Sequence, residues 1–263
     1  MKIGFIGTGN MGSGIIKGIV NSKFIPNGNI NVYDLNKEKV TYLVEEYGLI
    51  SSKNESDVTE NSDIIILAVK PDIYTSVLEK IKKNLTTEKI ILTIAAGFSI
   101  KKVEDIVGTD KKVIRTMPNT PAQVLEGMTA VAFNNNVNLE EKETIFKLLD
   151  SFGKSVEIEE KLFHVYTGIS GSLPAYVYMF MEAIADGGVL EGMPRDKVYE
   201  IVGQAVLGSA KMLLETGKHP GQLKDEVTSP GGTTIEAVKV LENGNFRGNV
   251  IEALVACTQK SKK

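Results

Sequence analysis

A glycine-rich turn near the amino end constrains the fold of this chain more than any other feature of the sequence. The turn, Gly7-Thr8-Gly9-Asn10-Met11-Gly12, has the form GxGxxG and directly follows Lys2 to Ile6, which reads as a buried strand. Apolar residues at helical spacing come next, and a second strand pattern, Asn29 to Tyr33, ends at Asp34. Asp34 stands at about the spacing expected for the acid that binds an adenosine ribose. Together these parts predict a dinucleotide-binding βαβ unit.

Each glycine of the motif has a separate physical role. Gly7 permits a tight turn, Gly9 lets the backbone approach a pyrophosphate, and Gly12 lets the helix pack on the strand. The amino end of the following helix presents unpaired N–H groups to the phosphate charge. We therefore expect the whole turn to bind a cofactor, through Gly7, Thr8, Gly9, Asn10, Met11 and Gly12.

Strand and helix patterns continue to alternate as far as the short strand around Ser155 to Ile158, which is typical of a doubly wound α/β sheet of the Rossmann type. Ligands of such sheets lie at the carboxyl ends of the strands. The turns at those ends are therefore further cofactor candidates, and they contain Ala68, Val69, Lys70, Pro71, Ala95, Ala96 and Asn119. The alternatives are a solvated strand-end lysine for Lys70 and a simple turn residue for Asn119.

Composition excludes several classes of partner. With 263 residues, 42% hydrophobic and 24% charged, the chain is long enough for one large or two medium domains. The net charge is −3 and Lys and Arg are spread along the chain, so no nucleic acid is expected. Cys257 is the only cysteine and no metal-ligand spacing occurs, so neither a disulfide nor a metal is predicted. The amino terminus enters a strand without a leader pattern, which predicts a cytoplasmic protein with no membrane partner.

From Lys161 onward the sequence shows only helical patterns. The segment Pro174 to Val189 is apolar nearly all round, and such a helix must be buried on every face. A domain of about a hundred residues can hardly bury it alone, so we predict a homodimer; a compact monomeric bundle is the alternative, and a larger assembly of dimers stays open. The predicted domains are a dinucleotide-binding domain, residues 1–160, and an all-helical dimerisation and substrate domain, residues 161–263.

A second turn with a chemical signature precedes a helix near the carboxyl end. Pro230 and the Gly231-Gly232 pair form the turn, and Ser229, Thr233 and Thr234 supply hydroxyl groups beside a new helix N-terminus. Free N–H groups, two glycines and the helix dipole suit a small carboxylate. An ordinary capped turn has the same composition and is the alternative.

The chain resembles the pyrroline-5-carboxylate reductases from its first strand to its last helix. The motifs that carry the resemblance are Phe5 to Gly12, Ala68 to Pro71, Arg115 to Pro121, Ser170 to Tyr176, His219 to Asp225 and Ser229 to Ile235. Leu173 stands where the family commonly has glycine. The resemblance implies reduction of 1-pyrroline-5-carboxylate to L-proline by hydride transfer from NAD(P)H, the last step of proline biosynthesis.

The resemblance also implies roles for particular residues. The substrate carboxylate is expected on the turn from Ser229 through Gly231, Gly232 and Thr233 to Thr234. The Thr234 hydroxyl is expected beside the ring nitrogen as catalytic hydrogen-bond partner or proton relay, with Ser170 as a second candidate. For both hydroxyls, local capping is the alternative. Asn54 is expected on the adenine side of the cofactor by resemblance alone.

The sequence does not decide the cofactor between NADP(H) and NAD(H). Asp34 would accept from a free ribose 2′-hydroxyl and repel a 2′-phosphate, which favours NAD(H). Asn36, Lys37 and Lys39 stand just beyond it and suit the phosphate of NADP(H). Members of the family commonly use NADPH and often accept NADH.

Two other functions are compatible with the fold. A β-hydroxyacid dehydrogenase would need a lysine early in the helical domain, and no lysine follows Ser170 until Lys197. A nucleotide sensor without chemistry would not need the second polar turn around Gly231. Cofactor oxidation that depends on added 1-pyrroline-5-carboxylate separates the three.

Overall fold

The computed structural model describes residues 1–95 and 97–262, which form two compact units. The first unit comprises residues 1–171 together with the residues from Thr258 onward, and the second comprises Ser172–Cys257. The predicted domain boundary between residues 160 and 161 stays a prediction.

The first unit is built on one eight-stranded sheet with the order β3-β2-β1-β4-β5-β6-β7-β8. The strands are β1 Ile3–Ile6, β2 Ile30–Tyr33, β3 Ile50–Ser51, β4 Ile64–Leu67, β5 Ile90–Thr93, β6 Lys112–Met117, β7 Gly127–Phe133 and β8 Gly153–Glu157. All pairs are parallel except β6 with β7. Because the first six strands follow the doubly wound order, the predicted fold class is confirmed.

Helices cover both faces of this sheet. They are α1 Asn10–Ser22, α2 Lys37–Tyr47, α3 Glu55–Glu60, α4 Tyr74–Ile81, α5 Ile100–Val107, α6 Leu139–Asp150 and α7 Phe163–Tyr166. One apolar cluster contains the buried faces of α1, α2 and α6, and a second contains those of α4, α5 and α7. Strand β4 contributes to both clusters in alternation, with Ile64 and Ile66 in the first and Ile65 and Leu67 in the second. Burial on both faces explains why its sequence is apolar throughout.

Some elements of the first unit were not predicted. Strand β3 has two exposed residues, Ile50 and Ser51, and so carries no apolar pattern. Helix α3 has six residues in a polar segment, too few for a periodic signal. The antiparallel direction of β7 leaves no trace in its sequence, because β7 is buried along most of its length, as the parallel strands β4 and β5 are.

The Tyr74 hydroxyl forms hydrogen bonds to the ends of two strands, on the side of the sheet where ligands are expected. Its hydroxyl donates to the carbonyl of Leu67 at the end of β4, and the Ile94 N–H just after β5 donates to the same hydroxyl at 3.3 Å. Tyr74 is fully buried, and burial raises the pKa of its phenol. The neutral hydroxyl therefore satisfies one acceptor and one donor where water does not reach.

The second unit is helical. Its helices are α8 Leu173–Leu190, α9 Arg195–Thr216, α10 Pro220–Glu226, α11 Thr233–Asn243 and α12 Phe246–Ser261, the last of which continues beyond the unit. Helix α10 was not predicted. The close approach of α8 and α9 needs Gly188, since a Cβ there would lie 2.8 Å from Val198 Cγ2.

Very little of the second unit is buried in a single chain. Only Ala185, Val198 and Val202 are buried apolar residues in its described part, whereas Leu190 and Leu214 are 85% and 81% exposed. An apolar cavity of about 640 Å³ opens between α8, α9 and α12. Exposed apolar surface of this extent is typical of a protein–protein interface. Within residues 1–95 and 97–262, no helix has both the length and the apolar character needed to cross a membrane.

Replacing Tyr74 by phenylalanine tests its role at the strand ends. The substitution leaves the Leu67 carbonyl and the Ile94 N–H without their partner, so we expect the free energy of unfolding to fall by about 1–3 kcal/mol. Chemical denaturation measures the change. The control is Tyr42→Phe, because Tyr42 is 53% exposed and its hydroxyl bridges no strands. An equal effect of both substitutions would contradict the account.

Candidate functional site

The first turn of the glycine motif is held against two strands. Gly7 has φ +100°, and a Cβ there would lie 2.6 Å from the carbonyl oxygen of Ala68. The Gly7 N–H donates to Tyr33 O at 2.8 Å, and the Ala68 N–H donates to Ile6 O at 2.8 Å. Only glycine fits at position 7, so the ends of β1, β2 and β4 meet at this turn.

The other two glycines of the motif have different requirements. A Cβ at Gly12 would lie 2.6 Å from Gly7 O, so glycine is needed there for packing. Gly9 has φ −65°, and a Cβ there would meet no protein atom within 4 Å. The protein itself therefore does not require glycine at position 9. The open space at Gly9 leaves room for a bound group to approach the backbone, and the turn fits the pyrophosphate of a dinucleotide.

A cavity of about 280 Å³ lies at the carboxyl ends of β1, β2 and β4. It brings together six of the predicted cofactor residues, namely Gly7, Gly9, Asp34, Ala68, Val69 and Lys70. Its other lining residues are Ile6, Tyr33, Leu35, Lys39, Glu55, Ile73 and Val77. Apolar walls with a few charged groups at the rim suit an adenosine.

A second cavity, of about 440 Å³, lies beside the amino end of α1. It contains the predicted residues Thr8 and Asn10, and Lys39 lines both cavities. Of the remaining predicted cofactor residues, Met11 and Gly12 lie in the first turn of α1, Pro71 begins a 3₁₀ turn, and Ala95 is buried. Ala96 lies outside the described residues.

The carboxylate of Asp34 is bound by the chain itself. Its Oδ2 accepts from the Thr8 N–H at 2.6 Å and from the Thr8 hydroxyl at 3.0 Å, and its Oδ1 accepts from the Asn36 N–H at 2.9 Å. Asp34 therefore fixes the glycine turn to the end of β2, in addition to lining the cavity.

Positive groups follow Asp34 at the amino end of α2. Asn36 is the N-cap of α2, and its side chain accepts from the Lys39 N–H at 3.2 Å. Lys37 and Lys39 are exposed in the first turn. A helix N-terminus with two lysines favours an anion.

The structure places Asn54 and Glu55 in different surroundings. Asn54 is exposed and caps α3 by accepting from the Asp57 N–H at 2.9 Å, and it does not line the adenosine cavity. Glu55 does line it, is buried and forms an ion pair with Lys80 at 2.7 Å. Sequence reasoning missed Glu55, because a glutamate in a polar segment reads as a surface residue.

Asn119 and Ser170 lie together. The Asn119 amide donates to Ser170 Oγ at 3.1 Å, and the Asn119 oxygen accepts from the Met128 N–H at 2.9 Å. Ser170 is buried in a π-helical turn, Thr167–Gly171, and the Tyr166 hydroxyl donates to Met128 O at 2.6 Å. Burial raises the pKa of Tyr166. The Asn119 side chain thus connects the turn after β6 to the Ser170 turn, and it lines neither of the two cavities described above.

The predicted carboxylate turn lies in the second unit. Gly232 is the N-cap of α11, and its N–H donates to Ser229 O at 3.0 Å. Gly231 has φ +67°, which favours glycine, and a Cβ at Gly232 would displace the Ser229 hydroxyl and lie 3.2 Å from Ser229 O. The N-cap has no side chain to cap the helix, and Thr233 and Thr234 are exposed in its first turn. The first N–H groups of α11 therefore face solvent.

A substitution at Gly9 separates cofactor binding from folding. Gly9→Ala adds a methyl group where the protein leaves space, so the free energy of unfolding should change by no more than about 1 kcal/mol. We expect the dissociation constant for the cofactor to rise about tenfold or more, which corresponds to about 1.4 kcal/mol. Denaturation and fluorescence titration with NADPH measure the two quantities.

Gly7→Ala is the matched control for Gly9→Ala. It forces alanine to a positive φ and against the Ala68 carbonyl, so it should destabilise the fold by about 1–2 kcal/mol or more. Unchanged cofactor affinity in Gly9→Ala would contradict the assignment of this turn to the pyrophosphate.

Comparisons with known proteins cover the whole chain. A family model described as pyrroline-5-carboxylate reductase dimerisation matches residues 160–263, and one described as NADP oxidoreductase, coenzyme F420-dependent, matches residues 2–97. The pyrroline-5-carboxylate reductase of Escherichia coli (strain K12) is 48% identical, over 100% of this chain and 97% of its own length. That of Glycine max is 42% identical, over 99% of this chain and 95% of its own length.

A solved structure agrees with these relatives. The pyrroline carboxylate reductase of Plasmodium falciparum, crystallised with NADP bound, is 38% identical and superimposes with a TM-score of 0.90, covering 100% of this chain and 97% of that one.

Proposed function

The chain belongs to the pyrroline-5-carboxylate reductase family, and we propose that its two glycine turns divide the reaction between them, one binding the cofactor and the other the substrate. The chain reduces 1-pyrroline-5-carboxylate to L-proline, the last step of proline biosynthesis, with NADP(H) or NAD(H) as cofactor. The bound cofactor supplies the hydride. The protein has to bind, orient and polarise the imine.

The substrate carboxylate binds at the amino end of α11. The observation that carries this assignment is the turn itself, in which Gly231 and Gly232 leave the first N–H groups of an 11-residue helix open to solvent. Those donors and the helix dipole favour a carboxylate. Ser229 and Thr233 add hydroxyl groups at its edge.

Thr234 acts on the ring nitrogen. Hydride addition to the C=N carbon places the electron pair of the C=N bond on the nitrogen, which must carry one proton to give the ring amine of proline. The hydroxyl of Thr234, the second residue of α11, can donate to that nitrogen while the N–H groups of the helix start bind the carboxylate. Ser170 is buried and bonded to Asn119, so we assign it to positioning its turn.

The cofactor binds at the carboxyl ends of β1, β2 and β4. Its pyrophosphate lies on residues 7–12, its adenosine enters the cavity lined by Asp34, Val69 and Lys70, and a 2′-phosphate lies near Asn36 and Lys37. An adenine contact by Asn54, cofactor contacts by Pro71, Ala95, Ala96 and Asn119, and the cytoplasmic location stay predictions.

Substitution of Thr234 tests the catalytic assignment. Thr234→Ala removes the donor to the nitrogen, so kcat should fall about 10²-fold with an unchanged dissociation constant for NADPH. Thr234→Ser retains the hydroxyl and should recover most of the loss. Steady-state rates with 1-pyrroline-5-carboxylate give kcat and KM.

Thr233→Ala serves as the comparison for Thr234→Ala, because Thr233 is the neighbouring exposed hydroxyl on the same turn. Its loss should raise KM for the substrate and leave kcat within about threefold of the wild type, since it meets only the carboxylate. A normal kcat in Thr234→Ala would contradict the catalytic role and leave local helix capping as the role of Thr234.

The protein forms a homo-oligomer, and we propose that its basic unit is a dimer built on the second unit. The exposed apolar faces of α8, α9 and α12 support this assignment, because one chain buries so few of their side chains. A larger assembly of dimers stays a prediction.

A charge on the apolar surface tests the dimer. Ile184 lines the cavity between α8 and α9 and is 46% exposed in one chain. Ile184→Asp should convert the protein to a species with the mass of one chain, because an unpaired charge in an apolar interface is not tolerated. Lys197→Glu, on an exposed charged position of α9, is the control. Analytical ultracentrifugation measures the mass; a wild type that sediments as a monomer would contradict the proposal.

A further inference from the structure

Thr8 binds the acid on which cofactor discrimination depends. Both donors of Thr8, its N–H and its hydroxyl, go to Asp34 Oδ2, at 2.6 and 3.0 Å. Thr8 is 1% exposed, whereas Asp34 is only half-buried. The middle residue of a G-x-G turn is not required to have a hydroxyl. Among the described residues, the Thr8 hydroxyl bonds only to the Asp34 carboxylate, while the Thr8 carbonyl accepts from the Ser13 hydroxyl.

These bonds reduce what Asp34 can offer to a ribose. A carboxylate has about four acceptor sites. Thr8 occupies both sites of Oδ2, and the Asn36 N–H occupies one site of Oδ1 at 2.9 Å. One site therefore remains for the ribose 2′-hydroxyl of NADH, and three donors partly neutralise the charge that would repel the 2′-phosphate of NADPH.

We propose that Thr8 is a specificity-determining residue of the reductase, which makes the enzyme accept NADPH in spite of the acid at the end of β2. The hydroxyl acts by positioning Asp34 on the glycine turn, and it contacts neither the hydride nor the substrate. The assignment rests on the proposed function, since it concerns the cofactor of that reaction. Lys39 lines the same cavity, and the partly neutralised Asp34 carboxylate then competes less with a 2′-phosphate for its charge.

Direct binding of the two cofactors tests this role without turnover. Fluorescence titration of the whole protein with NADPH and with NADH gives the ratio of the two dissociation constants. Thr8→Ala frees one acceptor site of Asp34, so the ratio should shift toward NADH by about fivefold to tenfold. Thr8→Ser keeps the hydroxyl and should keep the wild-type ratio. If the role of Thr8 were purely structural, Thr8→Ala would weaken the binding of both cofactors alike and leave the ratio unchanged.

Asp34→Asn completes a double-mutant cycle. The substitution removes the charge that Thr8 controls, so it should shift the ratio toward NADPH, and adding Thr8→Ala to it should change the ratio by less than about twofold. The proposal would be overturned if Thr8→Ala left the ratio of the two dissociation constants at the wild-type value. It would also be overturned if Thr8→Ala shifted that ratio equally in the wild type and in Asp34→Asn. If Thr8→Ala does not fold, an Asp34→Asn ratio equal to that of the wild type overturns it alone.

Turnover and binding measurements distinguish a failure of the proposed function from a failure of the role of Thr8. A wild type that binds both dinucleotides but oxidises neither on addition of 1-pyrroline-5-carboxylate would contradict the proposed function and leave the binding ratios of the Thr8 variants to be judged by themselves. A wild type with normal turnover and an unchanged ratio in Thr8→Ala would contradict only the role of Thr8.

Discussion

The close approach between the turn after β1 and the end of β4 is the constraint on which the cofactor side of this protein depends. Gly7 lies so near the Ala68 carbonyl, and at so unusual a φ, that no side chain fits. This contact lets the Gly7 N–H reach Tyr33 O at the end of β2, and it brings Thr8 to the Asp34 carboxylate. Three strand ends thus converge on one turn, and the cavity proposed for the adenosine lies between them. A larger residue at position 7 would disturb the cavity and the acid together.

Much of this arrangement is predictable from sequence because it depends on local patterns. The run Ile64–Leu67 is apolar on both faces, the motif fixes the turn, and Asp34 follows the second strand at the expected spacing. Roles that depend on tertiary contacts were not predictable. The sequence around Asn119 cannot reveal that its side chain donates to Ser170, since Ser170 lies 51 residues further along the chain. Glu55 was missed for the same reason: its ion pair with Lys80 and its place at the cavity depend on residues elsewhere in the chain, and its polar neighbours give no sign of either.

The second unit shows the opposite balance of local and long-range information. The apolar composition of α8 predicts burial on every face, yet one chain leaves Met179 and Leu190 largely exposed. The missing cover must come from another chain, so the sequence indicates association without specifying its geometry. The turn before α11, proposed to bind the substrate carboxylate, differs again, since Gly231 and Gly232 shape it locally and its first-turn hydroxyls need no distant partner to be recognised. The predictions are thus most complete where backbone conformation determines the site.

The most direct test of the account is the fate of the transferred hydrogen. The protein should be incubated with 1-pyrroline-5-carboxylate and with NADPH or NADH that carries deuterium at both hydrogens of nicotinamide C4, and the product analysed by mass spectrometry and chiral chromatography. The account predicts L-proline with one deuterium at the former C=N carbon, formed at the rate of cofactor oxidation. Cofactor oxidation that is independent of 1-pyrroline-5-carboxylate, or proline without deuterium, would contradict it.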